Sequence, residues 1–183
     1  MKKLILAPIG ALLLLPSPAG ASHSIHPNAH WAKSGAGIAV DVGNCLRRPY
    51  WRRAVRAAIA DWSRSPVVTY KLVACRAAHR EFQIRDGHFG RTGWSGYADW
   101  DYALHFTSMH IKLNSSYGAN FSEARRRKTA CHELGHALGL GHRSSGSCLV
   151  RGKYASHRPD GHDYNYLRRI YGHEDLLPTP DRL

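Results

Sequence analysis

Acidic side chains are scarce in this chain. Only 13 Asp and Glu stand against 26 Lys and Arg, a formal net charge of +13 over 183 residues. Such a surface favours anionic partners without choosing among acidic proteins, cell-wall polymers, membrane surfaces and nucleic acid. Long apolar runs are also missing. The longest is residues 4–15, about 12 residues against the roughly 20 that a membrane span needs, so no span is expected. There is no internal repeat and no low-complexity linker, which excludes a solenoid or a string of modules. The four cysteines include no CxxC spacing, which speaks against a cysteine-ligated metal. Methionine occurs only at Met1 and Met109.

What is present starts with a leader. Lys2 and Lys3 precede the apolar run, and Ala19-Gly20-Ala21 follows it. This order reads as a secretory signal peptide, residues 1–21, cut after Ala21. Residues 22–35 read as a loose N-terminal arm, residues 36–175 as one catalytic domain, and residues 176–183 as a short tail. Export permits disulfides, and local order favours Cys45–Cys75 and Cys131–Cys148 among three possible connectivities.

Periodicity gives an α+β order. Residues 36–42, 67–73 and 81–86 read as strands. Residues 49–63 place Trp51, Val55, Ala58, Ile59 and Trp62 on one helical face, with Pro49 in the first turn. Residues 87–101, rich in Gly, Asp and aromatics, read as a loop. Residues 108–113 alternate cleanly, with Met109, Ile111 and Leu113 on one face and Ser108, His110 and Lys112 on the other. Ser122 is a good N-cap for a helix running to about Leu138, and residues 160–171 form a last helix.

The stretch HELGHALGLGH, residues 132–142, carries the chemistry. His132 and His136 lie four apart, on one helical face, and can share a metal ion. Glu133 is one step round and can reach a water held by that ion rather than the ion itself. Gly139 can adopt the left-handed conformation, end the helix and turn the chain so that His142 returns as a third ligand. Three neutral imidazoles leave a fourth position open, as catalytic zinc sites do. The expected reaction is peptide-bond hydrolysis by metal-activated water, with Glu133 as general base.

These residues resemble the HExxHxxGxxH signature of the metzincin metallopeptidases. His132, Glu133, His136, Gly139 and His142 match it position by position, and the chain resembles small secreted bacterial enzymes of the matrixin and snapalysin type over residues 36–171. The resemblance implies a zincin-like single domain: a twisted mixed sheet, a backing helix, an active-site helix and a small C-terminal subdomain. It also implies one catalytic Zn²⁺, a protein or peptide substrate, and residues 108–113 as the edge strand to which substrate adds, His110 and Lys112 being its more exposed members. Metzincins carry a methionine turn below the zinc. Here the equivalent stretch is residues 147–150, and Leu149 stands where methionine is expected, with Arg151 where some members place a tyrosine. The N-terminal arm has no cysteine, so a cysteine-switch latency is not expected.

Other features carry less. Residues 125–128 (RRRK) read as a solvated helix face rather than a nucleic-acid site. His88, Asp99 and Asp101 have no spacing that supports a second, structural metal. Trp94, Tyr97, Trp100 and Tyr102 read as loop-packing aromatics. The expected protein is a monomeric secreted zinc endopeptidase. The alternative is a catalytically weak, zinc-stabilised binding protein on the same fold, supported only by the missing methionine; Glu133 argues against it. A third option, a basic binder of anionic polymers with structural zinc, lacks a fourth protein ligand in the motif.

Overall fold

In the computed structural model the described residues are 29–33, 35–78, 81–152 and 156–172. The expected signal peptide, most of the expected arm and the expected tail lie outside them. Five strands form one sheet: β1 (Ile38–Cys45), β2 (Val68–Ala74), β3 (Phe82–Gly87), β4 (Gly96–Tyr102) and β5 (Phe106–Asn114). Their spatial order is β2-β1-β3-β5-β4. The first four are parallel to their neighbours, and β4 runs antiparallel along β5. The helices are α1 (Pro49–Trp62), the one-turn α2 (Ser115–Gly118), α3 (Glu123–His136) and α4 (Gly161–Tyr171).

The core forms where apolar faces meet. α1 buries Trp51, Ala54, Val55, Ala58 and Trp62, while β1, β3 and β5 contribute Val40, Val42, Phe82, Ile84, Met109, Ile111 and Leu113. Leu134 and Leu138 complete it from the α3 side. Burying a side chain of this size is worth about 1.5–3 kcal/mol. Polar ends of the large aromatics are satisfied by α3: Trp62 Nε1 donates to Cys131 O at 2.9 Å and Tyr70 OH to Leu134 O at 2.7 Å. These bonds fix the height and rotation of α3 over the sheet. Both expected disulfides are formed, Cys45–Cys75 and Cys131–Cys148.

Four expectations are corrected. Residues 96–102 are a strand, β4, where a loop was expected. As a result β5 is interior, and the expected edge strand 108–113 is paired on both sides. His110 and Lys112 therefore do not offer free backbone to a substrate. The reason is cross-strand chemistry that composition hides: Lys112 Nζ bonds Asp99 Oδ2 at 2.8 Å, and Ser108 Oγ donates to Asp101 Oδ2 at 2.6 Å. The arm is not loose where it is described. Trp31 is fully buried against Phe82, and its Nε1 donates to Ala137 O at 2.8 Å. Nor is the basic run a plain solvated face. Arg127 forms a bidentate pair with buried Asp61, and Arg126 donates to Gly118 O and Ala119 O.

Candidate active site

α3 begins at Ser122, whose Oγ accepts from Arg125 N, and Glu123 in the first turn suits the helix dipole. The helix carries His132, Glu133 and His136, then stops. Gly139 has φ +83°, and a Cβ there would lie 2.1 Å from Ala29 O. Only glycine fits, both for the backbone conformation and for the close pass of the arm. The turn brings His142 back. The three imidazole rings lie with centroids 4.6, 4.7 and 5.1 Å apart, and one nitrogen from each falls within 4.8 Å of the others. That donor set fits a tetrahedral ion with one open position.

The outer ring nitrogens support this. His132 Nδ1 meets Cys148 O at 2.8 Å, and His136 Nδ1 meets Leu140 O at 2.7 Å. A carbonyl partner requires N–H at Nδ1, which leaves Nε2 unprotonated and available as ligand. His142 differs. Arg151 Nε donates to its Nδ1 at 3.2 Å, so metal binding through Nε2 requires the other tautomer and release of Arg151. Burial, with repulsion from His136 second, holds His132 down to about 3; burial also holds His136 down to about 4. Both rings are thus neutral near pH 7 and ready to donate lone pairs.

Glu133 is 6% exposed. Burial pushes its carboxyl up to about 8, against the opposing pull of the Lys128 ammonium. A divalent ion nearby would favour the carboxylate and pull that value back down. Gly96 on β4 faces Glu133 so closely that a Cβ there would sit 2.5 Å from Oε1.

The floor is built from residues beyond the motif. The Cys131–Cys148 bond ties α3 to the 143–150 segment. Leu149 is 1% exposed and lies against Gly135, where a Cβ would come within 2.7 Å of Leu149 Cδ2. Its neighbour Ser147 donates to Asp163 Oδ2 and accepts from Leu149 N. Asp163 and Asp160 form the capping box of α4, and Arg143 pairs with both. None of Ser147, Arg143, Asp160 and Asp163 was singled out from sequence. The Asp at 160 and again at 163, before an apolar helical period, was the available signal.

The site opens into a cleft of about 1080 Å³. Gly96, Tyr97, Ala98 and Trp100 of β4 line one wall. Tyr97 is 46% exposed there, so the aromatics do more than pack a loop. His88 lies apart, against Arg48, and Asp99 is engaged with Lys112. The only cluster among the described residues that could hold a metal is His132, His136 and His142.

Comparison with known proteins is consistent with this geometry. Residues 112–165 match the family model of Peptidase M66. No curated protein matches in sequence. Among solved structures the fold is similar to that of myroilysin, with a TM-score of 0.53 and 14% identity over 76% of this chain and 82% of that one. A second myroilysin structure matches with a TM-score of 0.44 and 17% identity, over 82% and 71% of the two chains. The likeness in structure is one of fold: a mixed sheet with helices in a single unit. The peptidase family match supports a protease, and the histidine cluster a metal-dependent one.

Proposed function

We propose that the chain is a secreted, zinc-dependent endopeptidase of metzincin type. The observation that carries this reading is the convergence of three neutral imidazoles beside a buried glutamate on the floor of a cleft whose β4 edge is unpaired among the described residues. His132, His136 and His142 would hold the zinc, and Leu149 takes the place that the resemblance gives to methionine. Bound zinc supplies a Lewis acid and lowers the pKa of a water. Glu133 takes a proton from the attacking water and passes it to the leaving amine. The edge of β4 receives the substrate as an added extended strand, in place of the 108–113 segment. The disulfides and the leader sequence support export.

The test is hydrolysis of unfolded casein by the mature protein with one zinc per chain, with and without a chelator. Glu133→Gln should keep the zinc and lose the activity, and His136→Ala should lose both. Full activity in Glu133→Gln would refute the assigned base. A zinc-stabilised binding protein on this fold would instead show no chelator-sensitive hydrolysis in the parent.

A further inference from the structure

The cleft does not end at the histidines. Along its α3 side stand Lys128 and Arg125, with Arg151 next to His142. Beyond Phe121 and Tyr117 a second depression continues it, sharing Arg125 and adding Arg91. Four cations thus follow one groove. Of the residues lining both depressions, the only carboxylate is Glu133, which is buried and assigned to proton transfer.

A basic chain has basic residues everywhere, and some outside the groove, such as Arg52 and Arg126, also bond only carbonyls; what marks the groove is four cations on one concave path whose only carboxylate is the buried Glu133. Away from the groove, Arg127 pairs with Asp61, Arg143 with Asp160 and Asp163, and Lys112 with Asp99. Among the described residues, none of Arg91, Arg125, Lys128 and Arg151 has such a carboxylate partner. Arg125 is held over the Phe121 ring, 3.6 Å from its centroid, which positions the guanidinium without neutralising it. Lys128 donates to Gly152 O, a neutral acceptor. Although Lys128 also acts on the buried Glu133, cations with no salt-bridge partner among the described residues, in a concave, aromatic-walled groove, focus a positive potential along the path of an extended chain.

We propose that this groove selects peptides bearing Asp or Glu side chains on one side of the scissile bond, with Arg125 the main determinant. This rests on the peptidase reading above. Arg125 is exposed, so its contact with a carboxylate falls at the low end for a charge-assisted hydrogen bond, and one such contact should raise kcat/KM by about tenfold.

The test uses the zinc-loaded protein and a matched set of quenched peptides, with Glu, Gln or Lys at each of three positions on either side of the cleaved bond. The expected result is about a tenfold preference for Glu over Gln at one or more positions on one side. It should shrink between about 50 and 300 mM salt. It should be lost in Arg125→Gln and retained in Arg53→Gln, which removes the same charge from the exposed face of α1. Equal rates for Glu and Gln, a preference for Lys, or an equal loss in Arg53→Gln would overturn the proposal while leaving the peptidase reading intact. If no peptide is cleaved, the peptidase reading fails, and fluorescence anisotropy with the same peptides decides the groove's ligand class. Tighter binding of Glu peptides that Arg125→Gln abolishes upholds it, and equal affinities refute it.

Discussion

Gly96→Ala isolates the space that the edge strand leaves for Glu133, the proposed general base. The new Cβ would lie 2.5 Å from Glu133 Oε1, 2.7 Å from Glu133 Cγ and 2.8 Å from Thr129 Cγ2. Carbon atoms in contact prefer about 3.5–4.0 Å, so the carbon contacts fall about 1 Å short. α3 cannot yield easily, because Trp62, Tyr70 and the Cys131–Cys148 bond hold it. Either β4 moves outward or the Glu133 carboxylate is displaced. Overpacking of this kind costs about 1–3 kcal/mol, a drop in Tm of several degrees for a chain of this size. A displacement near 1 Å at the base should lower kcat on the order of 100-fold. Zinc per chain should stay near one, since no ligand is touched. Gly161→Ala, whose Cβ meets open space, is the control and should be neutral. The measurements are metal content by atomic emission, thermal melting, and kcat and KM on a quenched peptide. A Gly96→Ala protein with kcat within about twofold of the parent would refute the reasoning, since a 1 Å misplacement cannot be so mild.

Leu149→Met should keep activity and change stability by less than about 1.5 kcal/mol; Leu149→Ala should cost about 2–5 kcal/mol and speed zinc loss to a chelator. Equal zinc retention in Leu149→Ala would remove Leu149 from the ligand platform. In the metal-free protein, His132 and His136 are depressed from 6.5 to about 3 and 4, so their stabilisation is present above pH 6.5 and lost as pH falls toward 4. Glu133 is raised from 4.5 to about 8, so its contribution is present below 4.5 and lost as pH rises, by up to about 1.4 kcal/mol per pH unit. Chelated protein should therefore melt highest near pH 6.5 and several degrees lower at pH 8, and a flat profile over that span would contradict the burial of Glu133.

Much of this architecture was legible because local signals agreed with the tertiary result. α1 announced itself by Pro49 and an apolar face that the structure buries, and α3 by the Ser122 cap and the Gly139 turn. The cysteine pairs followed from chain order. What escaped the sequence depends on partners far along the chain. β4 reads as a loop because its Gly and Asp residues are poor strand signals and mask its strand-favouring aromatics; it is a strand because Asp99 and Asp101 find Lys112 and Ser108 on β5. That one missed strand displaced the expected substrate edge from β5 to β4. Trp31, alone in a polar stretch, gave no period to read, yet it anchors the arm beneath Ala137. Arg127 sat in a run of four cations, and only the buried Asp61, 66 positions away, separates it from its neighbours.

The site's geometry is therefore not a property of the eleven-residue motif alone. The helix places two rings, and the Gly139 turn places the third. Their rotation is set by acceptors outside the helix. His132 is aimed by Cys148 O, and Cys148 is held by its disulfide and by its N–H to Arg158 O at 2.9 Å. The same segment is clamped to α4, because Ser147 reaches Asp163, and Arg143 spans Asp163 and Asp160. The capping box that starts α4 thus also fixes the segment that orients His132, a proposed ligand 31 positions before its Asp163. Outer hydrogen bonds of this kind typically tune metal affinity by 10–100-fold. On the proposed reading, a chain with the motif intact but this cap removed would keep all three histidines and still hold a metal poorly, since the restraint on His132 lies in the loop and in the helix that anchors it.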